Sequence, residues 1–230
     1  MGEKNVVQKI DNLVAVRNVI LSVSDKGGLN EFVPELVKVC PGIRLYSTGG
    51  TFSSLQKTLG DQGKPPLLQQ ISDYTGQPEM QGGLVKTLDF KVYLGVLSET
   101  YNPAHADDLK RTGAVPFDLM VVNLYPFKET IAKPGVTVED ARANIDIGGP
   151  CMVRASAKNF IRVAIVVDPR DYSRILEELK NNKGKISLAT RFELAKKAFH
   201  HTAEYDTTIS GYLEKTDFGK VKGAYPEIAG

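Results

Sequence analysis

The sequence predicts an α/β fold built on a mostly parallel sheet, with helices on both faces and a helical C-terminal extension. Three observations predict it. From about residue 17 onward, short β-branched runs alternate with amphipathic segments, the pattern of successive βαβ units. Polar, glycine-bearing clusters follow those runs directly, at what would be the carboxyl edge of an open parallel sheet. Beyond residue 170 the spacing is helical throughout.

The elements follow in order. Residues 18–23 (NVILSV) form the first candidate strand, and 29–39 a helix. Residues 43–46 are the second strand and 51–59 the next helix, and the glycines and prolines of 60–66 (GDQGKPP) mark a surface loop. Strands are expected at 67–71, 92–97, 119–124 (LMVVNL) and 163–167 (VAIVV), with helices at 104–111 and 138–144. Two helices, 171–181 and 188–212, close the chain with no strand between or after them, and the last ten or so residues lack periodicity. A single domain over 1–230 is expected, with its core at about 17–170 and its extension at about 171–215.

With 42% hydrophobic residues the chain can bury one substantial core. Its formal net charge is only +2, without a run of like charges, so nucleic acid and membrane surfaces are not expected partners and a small anionic ligand is. Cys40 and Cys151 lie far apart, suggesting neither a metal pair nor a disulfide but two apolar thiols in a reducing compartment. The N-terminus carries mixed charges and then a short apolar stretch, neither a signal peptide nor a spanning helix, so a cytoplasmic protein is expected.

The clusters carry the chemistry. Ser24, Asp25, Lys26, Gly27 and Gly28 follow the first strand, where glycines let backbone amides approach an anion and a lysine supplies charge. Ser47, Thr48, Gly49, Gly50 and Thr51 follow the second and run straight into a helix whose first amides form a phosphate seat. Read singly, each turn is equally a tight connection with an N-cap, and neither is a P-loop. Gly82, Gly83, Leu84, Val85, Lys86 and Thr87 join a glycine pair to a lysine and a hydroxyl. Asn123 to Phe127 (NLYPF) end the most apolar run, leaving Asn123 either a backbone-capping task or a ligand. Asp146, Ile147, Gly148 and Gly149 offer an acid and exposed amides, and Arg154 and Lys158 share one helix face.

In this order and spacing, SVSDKGGL, STGGT, DYTGQPEM through GGLVKTL, NLYPF, GVTVEDA, DIGG, RASAKN and the tail AFHHTAEYDTTIS resemble the inosine monophosphate cyclohydrolase domain, the N-terminal part of a bifunctional purine-biosynthesis protein that also carries a formyltransferase. The resemblance spans about residues 19–212. It implies a methylglyoxal-synthase-like, Rossmann-like fold. It places the ribose phosphate at Ser24, Asp25, Lys26, Thr48, Gly49, Gly50 and Thr51, helped by Lys86 and Thr87, and the base at Val122, Asn123, Asp146, Ile147 and Gly148. It assigns catalysis to Lys86, Tyr125, Asp146 and Lys158.

The implied reaction closes 5-formamidoimidazole-4-carboxamide ribotide to inosine monophosphate and water, without metal or organic cofactor. Lys86 and backbone amides would stabilise the oxyanion, Asp146 with Tyr125 would take the carboxamide proton, and Lys158 would help expel the hydroxyl. A homodimer is implied, as is a formyltransferase supplied by a separate protein. His200 and His201 read as surface or packing residues. The family usually reads GGRVKTLHP where this chain has Leu84, Asp89 and Phe90, so an arginine beside the substrate loop is lost, Lys91 or Arg154 would have to replace it, and Asp89 adds negative charge. Two other readings stay open: a methylglyoxal synthase-type lyase on the same fold, and a non-catalytic purine nucleotide-binding or regulatory module.

Overall fold

The computed structural model describes residues 6–77, 87–225 and 227. Its strands are β1 (Leu13–Ala15), β2 (Asn18–Ser22), β3 (Arg44–Ser47), β4 (Leu68–Gln70), β5 (Leu119–Val122), β6 (Ala164–Val166) and β7 (Lys185–Ser187). Five of them make an all-parallel sheet in the order β4-β3-β2-β5-β6. The chain runs outward from β2 through β3 to β4, then returns to lay β5 and β6 on the other side. The order therefore reverses between β2 and β5, and the carboxyl ends of those strands diverge around a crevice.

Both faces of the sheet are covered. Val19, Leu21, Leu119 and Val121 pack on one side against Leu29 and Leu36 of α1 (Leu29–Val39) and Ile175 and Leu179 of α9 (Tyr172–Asn181). Ile20, Met120, Val122 and Ile165 point the other way, toward α4 (Phe90–Leu97), α8 (Gly148–Lys158) and α10 (Leu188–Lys215). Each aliphatic side chain buried so completely stabilises the fold by about 1.5–3 kcal/mol. Double coverage is also why these strands read as unbroken apolar runs rather than as alternating ones. Cys40 closes α1 within this core, where burial pushes its thiol up to about 11.

Two expectations fail. Residues 92–97, read as a strand because they form a short apolar run, belong to helix α4, whose buried positions Val92, Gly95 and Val96 have helical spacing. Asp89 starts that helix, its carboxylate accepting the Lys91 amide at 2.8 Å, so the residue that looked misplaced beside an anion is an N-cap. The extension also carries a strand: β7 pairs antiparallel with β1, tying the start of the described chain to the beginning of α10. Three-residue strands 170 positions apart leave no periodic signal to read.

The amino edge of the sheet is sealed. Arg162 is buried and donates to the carbonyls of Ser98 at 2.8 Å and Phe117 at 2.9 Å, while Asp118 accepts the Arg17 and Asn18 amides at 2.9 and 3.0 Å. Farther along, the fully buried Arg191 of α10 donates to the carbonyls of Phe160, Asn12, Ile186, Asp11 and Ile161, joining β1, β7 and the loop before β6. Replacing it strands several buried acceptors at once. Arg191→Met is expected to lower unfolding stability by roughly 3 kcal/mol or more, read as the urea midpoint; a shift below about 1 kcal/mol would contradict the assignment.

Candidate active site

The carboxyl edge opens into a cleft of about 680 Å³. It is lined by Ser24, Lys26, Thr48, Gly49, Gly50, Thr51, Thr87, Asn123, Tyr125, Asp146, Ile147 and Gly148, among others. The turns after β2, β3 and β5 and the DIGG turn thus meet around one space. A larger open groove, about 930 Å³ between α6 (Phe127–Ile131), α7 (Val138–Ala143) and the C-terminal helices, contains none of the predicted site residues.

At one end of the cleft α2 (Gly49–Leu59) begins with its N-cap Thr48 making no side-chain cap. The Thr48 hydroxyl is instead hydrogen-bonded to that of Ser22 at 3.1 Å, joining β3 to β2. The first amides of α2 are left facing the cleft with the positive end of the helix dipole. Lys26 sits beside them: its Nζ donates to the Ser24 carbonyl at 3.4 Å and stands 3.9 Å from where a Cβ on Gly50 would lie. An anion at this end would meet both the helix amides and the Lys26 ammonium.

Some assigned residues act on the protein rather than toward the cleft. The Thr51 hydroxyl accepts from the Val23 amide at 3.1 Å and donates to the Val23 carbonyl at 3.0 Å, so it fastens α2 to β2 and has no free donor for a phosphate. Asp25 caps the Gly27 amide at 2.8 Å and shapes the turn. Asn123 Oδ1 accepts the Ser24 amide at 2.6 Å and the Asp25 amide at 3.0 Å, while its Nδ2 donates to the Asp25 carbonyl at 2.8 Å. Of its two open readings, backbone capping describes its side chain. Val122 is buried in the core and offers the cleft no side chain.

At the other end, Asp146 precedes α8. Its carboxylate accepts the Gly149 amide at 2.9 Å and is also bonded by the Tyr125 amide. Burial nonetheless raises its pKa above the ordinary aspartate value, the two amides only partly offsetting that rise. A Cβ on Gly149 would run into the Asp146 carboxylate and the Leu124 side chain, and one on Gly148 would stand 2.7 Å from the Thr87 hydroxyl, so both positions of the DIGG turn require glycine. Tyr125 is 57% exposed at the rim.

Lys86 lies outside the described residues, as do Gly82, Gly83, Leu84 and Val85. Lys158 is not brought to the cleft of its own chain: it is the exposed last residue of α8, about 15 Å along the axis from Gly148. Neither suggested substitute for the lost arginine lines the cleft. Lys91 Nζ lies 5.8 Å from the Tyr74 ring and donates to the Tyr74 carbonyl, and the Arg154 guanidinium lies 5.6 Å from the Phe199 ring. His200 is exposed 3.2 Å from Glu204, and His201 is half-buried in α10. The sequence reading missed Tyr205 of α10, whose hydroxyl accepts the Asp146 amide at 2.8 Å; it sits in a polar stretch of the C-terminal helix, where nothing local ties it to a site 59 residues away.

Comparison with known proteins agrees with this fold. The model of the MGS-like domain matches residues 28–151, and that of the AICARFT/IMPCHase bienzyme matches 156–228. The bifunctional purine biosynthesis protein PurH of Neisseria meningitidis is 47% identical over 93% of this chain and 39% of its own length. Its namesake from Leptospira biflexa is 43% identical over 88% of this chain and 38% of its own. The chain therefore spans about two-fifths of the length of these relatives. A solved structure titled as that of ForH superposes with a TM-score of 0.72 at 29% identity, covering 85% of this chain and 98% of that one.

Removing the Asn123 amide leaves the Ser24 and Asp25 amides without their partner. Asn123→Ala is expected to cost about 1–3 kcal/mol of stability and to speed hydrogen exchange at those two amides, read by NMR; unchanged exchange there would show that the turn holds itself.

Proposed function

The chain belongs to the family of MGS-like domains, and on that footing we propose that it is an inosine monophosphate cyclohydrolase, closing 5-formamidoimidazole-4-carboxamide ribotide to inosine monophosphate with loss of water. The observation that carries the reading is the division of one cleft into a phosphate end, Lys26 with the start of α2, and an acid–base end, Asp146 with Tyr125. Relatives named for purine biosynthesis match over most of the chain, which favours this reading over a triose-phosphate lyase.

Nucleophile and electrophile belong to one molecule, so much of the barrier is conformational. Gripping the phosphate at α2 and the base along Asn123, Ile147 and Gly148 folds the formamide onto the carboxamide, a contribution of several kcal/mol where the geometry is good. The carboxamide nitrogen then bonds to the formyl carbon. Asp146 takes the nitrogen's proton, and a base whose pKa burial has raised toward neutrality does so with better driving force. Tyr125, exposed at the rim, orients the carboxamide and relays the proton. Lys86 keeps the part that the resemblance implies, stabilising the oxygen that becomes the leaving hydroxyl.

The role implied for Lys158, giving that hydroxyl its proton, requires a second copy of the chain, since the residue lies a helix length from its own cleft. The expected homodimer supplies one. Inactive Asp146→Asn and Lys158→Ala chains would then regain turnover when mixed, and failure to do so would remove Lys158 from the mechanism. A cytoplasmic setting belongs to the same proposal. Among the described residues no helix is long and apolar enough to cross a membrane.

The direct test is incubation with the formylated ribotide, followed by absorbance as the purine appears. Asp146→Asn is expected to lower kcat at least about a hundredfold, and Lys26→Ala to act mainly on KM. Because Asp146 works only when ionised and its pKa is raised, kcat should fall on acidification at a higher pH than an ordinary aspartate would give. An acid limb within the ordinary carboxylate range would remove Asp146 as the base.

A further inference from the structure

The tail segment AFHHTAEYDTTIS takes no part in the cleft's lining, yet it reaches the chemistry from behind. Tyr205 projects from α10 into the core and is 9% exposed. Its hydroxyl accepts the main-chain amide of Asp146 at 2.8 Å and lies 3.4 Å from the Asn144 carbonyl, to which it donates. One phenol therefore spans both sides of Ile145, in the loop that carries Asp146 from α7 to α8. Its ring meets Phe127 edge-on at 6.2 Å, and Tyr212, two turns later on the same helix, meets Phe127 at 5.9 Å. Phe127 belongs to the segment that presents Tyr125. A single helix thus holds the supports of both acid–base residues.

We infer that Tyr205 is a positioning residue for ring closure: its hydroxyl fixes the Asp146 loop so that the carboxylate stays between the Tyr125 and Gly149 amides and faces the reacting amide. This rests on the cyclohydrolase reading, but the geometry it asserts can be measured without turnover. Without the hydroxyl, the Asp146 N–H becomes a half-buried donor lacking its partner, and the loop regains water by moving outward. The carboxylate then leaves its amides and its desolvated seat together. Because burial is the larger of those influences, its titration should move down, toward the ordinary aspartate range.

Tyr205→Phe keeps the ring and its contact with Phe127 while deleting only the hydroxyl. Expected results are a drop in kcat of roughly ten- to a hundredfold with KM for the ribotide within about threefold, and an acid limb displaced to lower pH. The Asp146 carboxyl, followed by carbon-13 NMR in the full chain, should titrate lower than in wild type by about half a pH unit or more. Phe127→Leu loosens the same packing without touching the hydrogen bond, and should leave that titration in place. An unmoved Asp146 titration in Tyr205→Phe overturns the positioning role whatever the activity. Lack of turnover by wild-type protein overturns the cyclohydrolase reading and leaves the NMR result to decide Tyr205.

Discussion

Asn123 reinforces the junction between the two halves of the sheet, where β2 and β5 pair in parallel. A parallel sheet whose strand order reverses has diverging connections at its carboxyl edge, and their amides have no ladder to pair with. The Asn123 side chain, at the end of β5, closes the turn after β2 by accepting two of its amides and donating to one of its carbonyls. Thr51 makes the equivalent link between α2 and the end of β2, and Ser47 one from β3 to the Leu21 carbonyl. These bonds set the α2 end and the Asp146 end of the cleft at a fixed separation. For the proposed reaction, whose reactants are already tethered, such a fixed separation would supply much of the rate.

The same economy governs the acid–base end. Desolvation and hydrogen bonding act on Asp146 in opposite directions, and desolvation wins. Among the described residues no cation stands against the carboxylate; one that did would depress its pKa. Two backbone amides give it direction without neutralising it, and they can do so only because Gly149 lacks a Cβ where the carboxylate lies. Gly149 therefore reads as a requirement of the carboxylate rather than of the turn alone.

Most of this was legible in the residues. Parallel strands covered on both faces announce themselves as apolar runs, and the polar clusters behind them locate the carboxyl edge, so Lys26, Thr48, Tyr125 and Asp146 could be placed on one side of the sheet. What escaped depended on contacts without local signature. The apolar run at 92–97 looked like a strand because a short buried run reads alike in strand and helix, while the Asp89 cap and the close fit of Gly95 against Val115 and Phe117 decide for a helix. β1 and β7 are too short to show a pattern and exist through each other. The side chains of Asn123 and Thr51 could be assigned to the substrate or to the backbone by type alone, and only distance separates the two.

Two buried aspartates show how position rather than residue type makes a functional group. Asp118 and Asp146 both have pKa values raised by burial, and both accept two backbone amides. Asp118 also faces Arg162 at the closed amino edge, with 8% of its surface exposed, so its charge is matched and no ligand can approach. Asp146 lines an open cleft, and what holds it is hydrogen bonds to amides, which orient a lone pair without removing its basicity. On the proposed reading, a carboxyl kept half out of water and aimed by amides serves as a proton acceptor, whereas the same group opposite a guanidinium is a strut. The sheet thus separates the two uses by edge, with Arg162 and Asp118 closing its amino edge while its carboxyl edge stays open for chemistry.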